Sequence, residues 1–156
     1  MLKHYPINII MKKALFLTLF AVLSSYVSFA KDYKVSSPDG KNAVTVSVGA
    51  DLKWSASRDG AEIFKSSRIA LILANGKVLG ENEKVKKVSL SALNEIIRPV
   101  VSNKKSEKAD NCNILTISFN SVFLIRFRAY NDGIAYRFET TMKDEIIIKN
   151  EISDLD

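Results

Sequence analysis

"FLIRFRAYNDGIAYRFET", residues 123–140, decides the fold class because bulky and polar residues alternate on both sides of one Asn-Asp-Gly triplet. Alternation with a period of two is typical of a half-buried β-strand. Each run places large apolar side chains on one face: Phe123, Ile125 and Phe127 in the first, and Ile134, Tyr136 and Phe138 in the second. We therefore predict a hairpin closed by residues 131–133, in which Asn and Gly adopt the positive φ that such a turn demands.

The same alternation recurs from residue 42 onward and predicts further strands. Their inward-facing residues are Val44, Val46 and Val48; Leu52, Trp54 and Ala56; Ile69, Leu71 and Leu73; and Leu115, Ile117 and Phe119. Turn signals separate these runs. Ser37–Gly40 predicts a turn, Asp59-Gly60 predicts a hairpin, and Asn75-Gly76 predicts a hairpin of type I′.

Other segments carry weaker signals. "KVKKVSL", residues 84–90, departs from strict period, and the segment after it could hold one helical turn at most. Residues 94–101 are extended and suit a sheet edge, because Pro99 lacks a backbone donor. Residues 102–113 are polar and predict an exposed connection. A new strand starts at residues 146–148 just before the sequence ends, so we expect it to lack a partner and the chain to be truncated.

These elements predict an all-β fold, an antiparallel β-sandwich that is incomplete. The regular spacing of turns is typical of a sandwich. A parallel α/β fold requires crossover helices, and no stretch of the sequence shows helical periodicity over that length.

The first thirty residues resemble targeting sequence. Residues 11–30 contain two lysines, an apolar run and the small-x-small ending Ser28–Ala30, which together indicate a secretory signal peptide. The alternative, a membrane anchor, is disfavoured because the apolar run at 14–22 is much shorter than the roughly 20 residues that a spanning helix needs. Residues 1–10 are interpreted as an upstream extension, so that the product is an exported chain without stable membrane insertion after cleavage.

Charge and composition exclude several kinds of chemistry. Losing Lys3, Lys12 and Lys13 with the leader leaves 20 basic residues against 17 acidic ones, a net charge of +3. Nucleic-acid binding is not indicated, since it usually requires a concentrated basic stripe. His4, the only histidine, lies in the extension, and without it His-based acid–base chemistry is unavailable. Cys112 is the sole cysteine, and we interpret it as a small buried apolar residue.

No catalytic or metal-binding residue is predicted. Local carboxylate pairs occur at Glu81 and Glu83, at Asp144 and Glu145, and at Asp154 and Asp156. Each lies in polar sequence, where solvated surface charge explains it. The sequence contains no Gly-x-Ser-x-Gly motif, no phosphate-binding glycine loop and no metal-ligand spacing.

Sugar binding is a less specific hypothesis than catalysis. It rests on the fact that aromatic rings and planar polar groups can hold a carbohydrate. The side chains that could supply them are Trp54, Tyr130, Tyr136, Arg126, Arg128 and Arg137. The alternative is that the aromatics pack in the core and the arginines face water.

Three stretches together resemble the N-terminal β-domain of glycoside hydrolase family 97. They are "SSPDGKNAVTVSV" at 36–48, "RPV" and "NKKSEKADNCNIL" at 98–115, and "FLIRFRAYNDGIAYRFET" at 123–140. The resemblance implies a two-sheet super-sandwich, galactose-mutarotase-like, in front of a catalytic TIM barrel. It implies periplasmic α-glucosidases and α-galactosidases of Bacteroides type, whose catalytic carboxylates and calcium-binding glutamates would lie beyond Asp156.

The resemblance also concerns individual residues in the segment around Asn113. Asn113 matches the family pattern, whereas Cys112 and Ile114 depart from it, which puts any contact of this segment with barrel or substrate in doubt. The candidates for substrate contact are Asn113, Trp54 and Arg128. We expect residues 31–156 to form the non-catalytic front domain of an exported glycoside hydrolase. The alternatives are a free-standing periplasmic carbohydrate-binding module and an interaction protein that uses a sheet edge.

Overall fold

The computed structural model describes residues 30–98 and 107–154, which form ten strands. The strands are β1 Lys31–Ser36, β2 Asn42–Val48, β3 Leu52–Arg58, β4 Ala61–Leu73, β5 Val78–Leu79, β6 Val85–Ile97, β7 Lys108–Phe119, β8 Phe123–Tyr130, β9 Ile134–Thr140 and β10 Ile148–Ser153. The predicted extension, the leader up to residue 29, Pro99 and residues 102–106 lie outside the described residues.

The strands form two antiparallel sheets. The first has the order β1-β2-β3-β4-β10, with β5 paired to β4, and the second has the order β6-β7-β8-β9. The antiparallel β-sandwich predicted from the alternation is therefore confirmed.

The core lies between the sheets and consists of the residues that the alternation placed inward. From the first sheet, Val44, Val46 and Leu52 are almost completely buried, and from the second, Ile125 and Phe127 are fully buried. An aromatic cluster joins the two layers: the ring centroid of Trp54 lies 5.6 Å from that of Phe127 and 5.7 Å from that of Tyr136. Burial of these apolar side chains, at about 1.5–3 kcal/mol each, is the main force holding the sheets together.

The turns differ in detail from the sequence prediction. Asp59 and Gly60 both have positive φ, 50° and 82°, as a type I′ hairpin requires. At the next turn only Gly76 is left-handed, with φ 83°, and the Leu73 amide donates to the Lys77 carbonyl. The type I′ prediction for Asn75-Gly76 is therefore wrong, because a three-residue loop with Gly in its last position closes this hairpin.

The hairpin at residues 131–133 is confirmed, but its predicted backbone conformation is wrong. None of these three residues has positive φ. The Tyr130 amide donates to the Gly133 carbonyl over 2.8 Å. This hydrogen bond continues the register Ala129↔Ile134 and leaves only Asn131 and Asp132 between the paired residues, so a two-residue loop reverses the chain here without a left-handed residue.

The largest correction concerns the β6–β7 hairpin. Residues 108–113, predicted as part of an exposed connection, belong to β7, which pairs with β6 from Val85↔Phe119 to Ile97↔Lys108. Polar residues with weak strand propensity are extended here because β6 supplies a full ladder of partners. The possible helical turn after residue 90 is likewise wrong, since β6 is continuous to Ile97. The predicted position of this segment at a sheet edge is confirmed, because β6 is the outermost described strand of its sheet.

Both ends of the described sandwich also differ from prediction. β1 was not anticipated, because "KDYKVS" contains only two apolar residues. The last strand begins at Ile148 rather than residue 146, and it pairs antiparallel with β4. The expectation that this strand lacks a partner is therefore wrong.

Candidate functional site

A polar network joins the two sheets at the hairpin end of β8 and β9. The Asn42 side chain, which is 3% exposed, donates from Nδ2 to the Tyr130 carbonyl over 2.8 Å. Its Oδ1 accepts from the Arg58 guanidinium at 3.1 Å. Asn131 extends the network, because its Oδ1 accepts from the Asp39 amide at 3.1 Å. The Asn-Asp-Gly loop therefore binds the turn of the opposite sheet as well as closing its own hairpin.

The Ser37–Gly40 turn is fixed by its own carboxylate. Asp39 Oδ1 accepts from the Ser37 hydroxyl at 2.5 Å and from the Lys41 amide at 3.1 Å. These hydrogen bonds, the Ser37 one foremost, hold the pKa of Asp39 below its ordinary 3.8.

Because the pKa of Asp39 is lower in the folded state than in the unfolded state, the stability of the fold depends on pH. The unfolded chain binds a proton on Asp39 more readily than the folded one. The contribution of ionised Asp39 to folding stability is therefore complete above pH 3.8 and is lost as pH falls through the lower folded pKa. We expect Ser37→Ala to move the pKa of Asp39 back toward 3.8. An NMR titration of the Asp39 carboxyl in both proteins measures this. A titration in the parent at or above 3.8 would contradict the assignment.

A second cluster lies on the outer face of the second sheet. Arg128 Nη1 donates to Asp110 Oδ2 and to the Tyr130 hydroxyl, both at 3.2 Å, and that hydroxyl donates to Asp110 Oδ1 at 2.9 Å. The Asp110 side chain is 11% exposed and that of Arg128 is 28% exposed. The hydrogen bond to Tyr130 raises the pKa of Arg128 above its ordinary value, and burial raises the pKa of Tyr130.

This cluster forms one wall of a surface depression of about 330 Å³. The other lining side chains include Ile97, Lys108 and Asp132. Donors, an acceptor and an apolar side chain thus surround one concavity, the combination by which small polar ligands are oriented. A larger depression of about 650 Å³ lies at the opposite end of β8, beside residues 141–147, but we find no comparable hydrogen-bonded cluster among the described residues there.

The three predicted contact residues are not brought together. Trp54 is 9% exposed and stacks on Phe64 within the core. Asn113 lies between the sheets and donates from Nδ2 to the Ser36 carbonyl at 2.8 Å, so it links β7 to β1. Arg128 lines the depression beside Asp110 and Tyr130, whereas Asn113 lines a separate groove of about 400 Å³ beside β1 and Leu90. Cys112, which is fully buried, behaves as the predicted small apolar residue.

The remaining sugar candidates are also dispersed. Tyr136 packs against the core rings, and burial raises the pKa of its phenol. Arg126 and Arg137 both pair with Glu139, at 3.1 and 2.6 Å. Tyr130 alone joins Arg128.

Sequence reasoning missed Asp110 as a member of this site. Its segment was assigned to a connection, so its position opposite β8 could not be inferred. Extending the alternation of Leu115 and Ile117 backward would have placed Asp110 on the outer face of its strand, although not beside Arg128 and Tyr130.

Half-buried carboxylates in the described chain all have partners. Asp51 and Glu81 both pair with Arg68, and Glu83 accepts from the Ser121 hydroxyl. Asp110 and Glu139 pair with the arginines named above. Within residues 30–98 and 107–154, no group of three or more His, Cys, Asp or Glu residues is placed to hold a metal ion. Over the same residues, no helix is long and apolar enough to cross a membrane.

Comparison with protein families gives a direct match. The model described as "Glycosyl-hydrolase 97 N-terminal" matches residues 35–156. The chain belongs to this family. The resemblance predicted from residues 36–48, 98–115 and 123–140 is thereby confirmed.

Among known relatives, this family member is 36% identical over 144 residues to a retaining α-galactosidase of Bacteroides thetaiotaomicron. The match covers 92% of this chain and 22% of that enzyme, so the chain spans about a fifth of its relative's length. A glycoside hydrolase family 97 enzyme from Pseudoalteromonas sp. strain K8, solved with acarbose, superposes with a TM-score of 0.68 at 20% identity, over 78% of this chain and 20% of that one. A β-arabinopyranosidase gives a TM-score of 0.69 at 20% identity, over 80% and 21% of the two chains. These two structures establish the fold.

Proposed function

We propose that this chain serves as the non-catalytic N-terminal β-sandwich of an exported glycoside hydrolase acting on α-galactosides or α-glucosides. In this proposal it packs against a catalytic barrel formed by residues beyond Asp156 and helps to bind carbohydrate. The observation that carries it is the match of 92% of this chain to only 22% of a retaining α-galactosidase. Calcium, which the resemblance implies for full-length enzymes, would belong to the same outside region.

The chemistry of the described carboxylates supports a non-catalytic role. Glycoside hydrolysis uses two carboxyl groups that flank the scissile bond, one of them protonated to act as an acid. Asp110, Glu81 and Glu139 are instead each engaged in an ion pair with an arginine of the same domain. Such carboxylates suit scaffolding better than proton donation.

The Asp110–Arg128–Tyr130 cluster is the proposed carbohydrate contact of this domain. Sugar hydroxyls both donate and accept, and the cluster presents guanidinium donors, a phenol and a carboxylate in a fixed arrangement. Ile97, which is 45% exposed, would cover an apolar patch of the sugar ring. The internal hydrogen bonds hold these groups in place before binding and so reduce the entropic cost of binding.

Export is proposed from the sequence. Residues 11–30 have the pattern of a cleaved signal peptide, residues 1–10 would be an upstream extension, and the β-sandwich of residues 31–156 would be exported to the periplasm.

Reconstitution in trans tests this function. The Bacteroides α-galactosidase would be produced without the segment that matches this chain, and then mixed with the purified protein. We expect association and recovery of hydrolysis that neither part shows alone. Arg128→Gln should raise KM of the reconstituted enzyme about tenfold, because it removes a charge-assisted contact to the sugar.

Arg137→Gln is the matched control, since this arginine is 58% exposed and lies on β9. It should leave KM unchanged. Absence of association would contradict the packing role. Binding of an α-galactoside by the chain alone, without association, would favour the carbohydrate-binding module instead.

A further inference from the structure

The edge strand β6 has two halves of opposite character. The first half carries Lys86 and Lys87 and a register shift next to Val85, and both devices prevent edge-to-edge pairing. The second half, Ser89–Ile97, contains a single charged residue, Glu95. Among the described strands β6 pairs only with β7, so the backbone groups on its other side have no strand partner there.

The second half also exposes large apolar side chains. Leu90 is 64% exposed and Ile96 is 66% exposed. Both lie on the face that forms the core in β7, since Leu90 is opposite the buried Leu115. Strand β1 of the first sheet borders this part of β6 but leaves Leu90 and Ile96 mostly exposed. A groove of about 400 Å³ lies there, lined by Lys34, Val35, Ser36, Leu90, Ser91 and Asn113.

We propose that this edge binds a second copy of the chain, with the two β6 strands antiparallel about a two-fold axis at Leu93. Leu90 of each copy is then directly opposite Ile96 of the other, and Ala92 is opposite Asn94. Glu95 faces Ser91, so no like charges meet. The four-stranded sheets become one continuous sheet across the dimer, and both exposed apolar residues gain a partner. Such an isologous contact is the commonest route to a closed dimer.

The register follows from the positions of the two apolar residues. Moving the axis to Ala92 puts Leu90 opposite Asn94, and moving it to Asn94 puts Leu90 opposite Arg98. Each alternative leaves one apolar residue opposite a polar one. The axis at Leu93 is therefore favoured over both.

The other described sheet edges are less suited to this pairing. β1 carries Lys31, Asp32 and Lys34 within six residues, and β10 carries Lys149 and Glu151 within six. Charged side chains protect an edge strand because pairing would desolvate them. On β9, Tyr136 donates to Glu151 of β10 at 3.0 Å, so that edge is already partly engaged. This inference does not depend on the proposed carbohydrate function.

Sedimentation velocity over a range of protein concentrations tests the dimer. Leu90→Glu and Ile96→Lys should each raise the dissociation constant about tenfold or more, because each removes two apolar pairs per dimer. The double variant should recover most of this loss, since each introduced carboxylate faces an introduced ammonium of the other copy. Positions 90 and 96 of one strand are about 20 Å apart, so recovery cannot arise within a single chain.

Ile63→Glu is the matched control, because Ile63 is 60% exposed on the other sheet. It should leave the dissociation constant unchanged, and circular dichroism should show the same strand content in every variant. A protein that stays monomeric up to about 1 mM, a concentration at which even weak specific pairs associate, would overturn the proposal. A dimer insensitive to both single substitutions would overturn it too, and a double variant no tighter than the singles would overturn the register.

Discussion

Replacing Phe127 by alanine is expected to lower the free energy of unfolding by about 3–5 kcal/mol. Phe127 is fully buried and is among the largest buried side chains of the described core. Its ring lies 5.6 Å from the rings of both Trp54 and Tyr136, so truncation opens a cavity between the two sheets. Natural domains have about 5–15 kcal/mol of stability in total, which makes this loss a large share.

Urea denaturation followed by tryptophan fluorescence measures the effect, because Trp54 is the only tryptophan and contacts the cavity. Ile63→Ala, at an exposed position, is the control and should change the unfolding free energy by less than about 0.5 kcal/mol. Equal effects of the two substitutions would mean that Phe127 does not join the two sheets.

Gly80→Ala is expected to destabilise the fold by about 3 kcal/mol. Gly80 has φ +108°, where a side chain is strained, and an added Cβ would lie 2.8 Å from the Ile69 carbonyl oxygen. Its own carbonyl accepts from the Leu52 amide at 2.9 Å, which ties β5 to the start of β3. The backbone cannot move away from Ile69 without breaking that hydrogen bond.

Gly40→Ala distinguishes the cost of backbone strain from the cost of a steric clash by the added Cβ. Gly40 has φ +74°, and an added Cβ would have no heavy atom within 4 Å. It should cost only the backbone term, about 1–2 kcal/mol. Denaturation midpoints of the two variants give the comparison. If Gly40→Ala were as destabilising as Gly80→Ala, close packing against Ile69 would not be the cause.

The parts of the fold that sequence predicts are those in which burial alternates cleanly. In β2 and β8 every second residue is buried, so a period of two can be read directly from Val44 or Phe127. In β6 the pattern fails because only Val88 and Leu93, besides its first residue, are shielded even partly. A strand that is held by backbone hydrogen bonds to its neighbour rather than by buried side chains shows little alternation of apolar and polar residues in its sequence.

The candidate site depended on information that a single sequence does not contain. Arg128 could be named from its alternation in β8. Its partner Asp110 lies eighteen positions away along the chain, in a segment without apolar alternation. Their contact follows from the register of β7 against β8, in which Ile114 pairs with Arg128. A one-residue slip of that register would send Asp110 to the other face.

Turn chemistry was predictable at Asp59-Gly60 but not at residues 131–133. Asp59-Gly60 has the dipeptide and the positive φ values that its length demands. Asn131 and Gly133 have residue types that suit a positive φ, but neither adopts one. Asn131 instead supplies a side-chain oxygen to Asp39, a long-range role that composition alone does not reveal.

The most direct measurement is the rate at which the purified protein hydrolyses an α-galactoside. A sandwich that serves as scaffold for chemistry located elsewhere is predicted to give the rate of buffer alone. Turnover that saturates with substrate, coelutes with the folded chain and disappears in Asp110→Asn would contradict that role, because it would place the reacting groups within these two sheets.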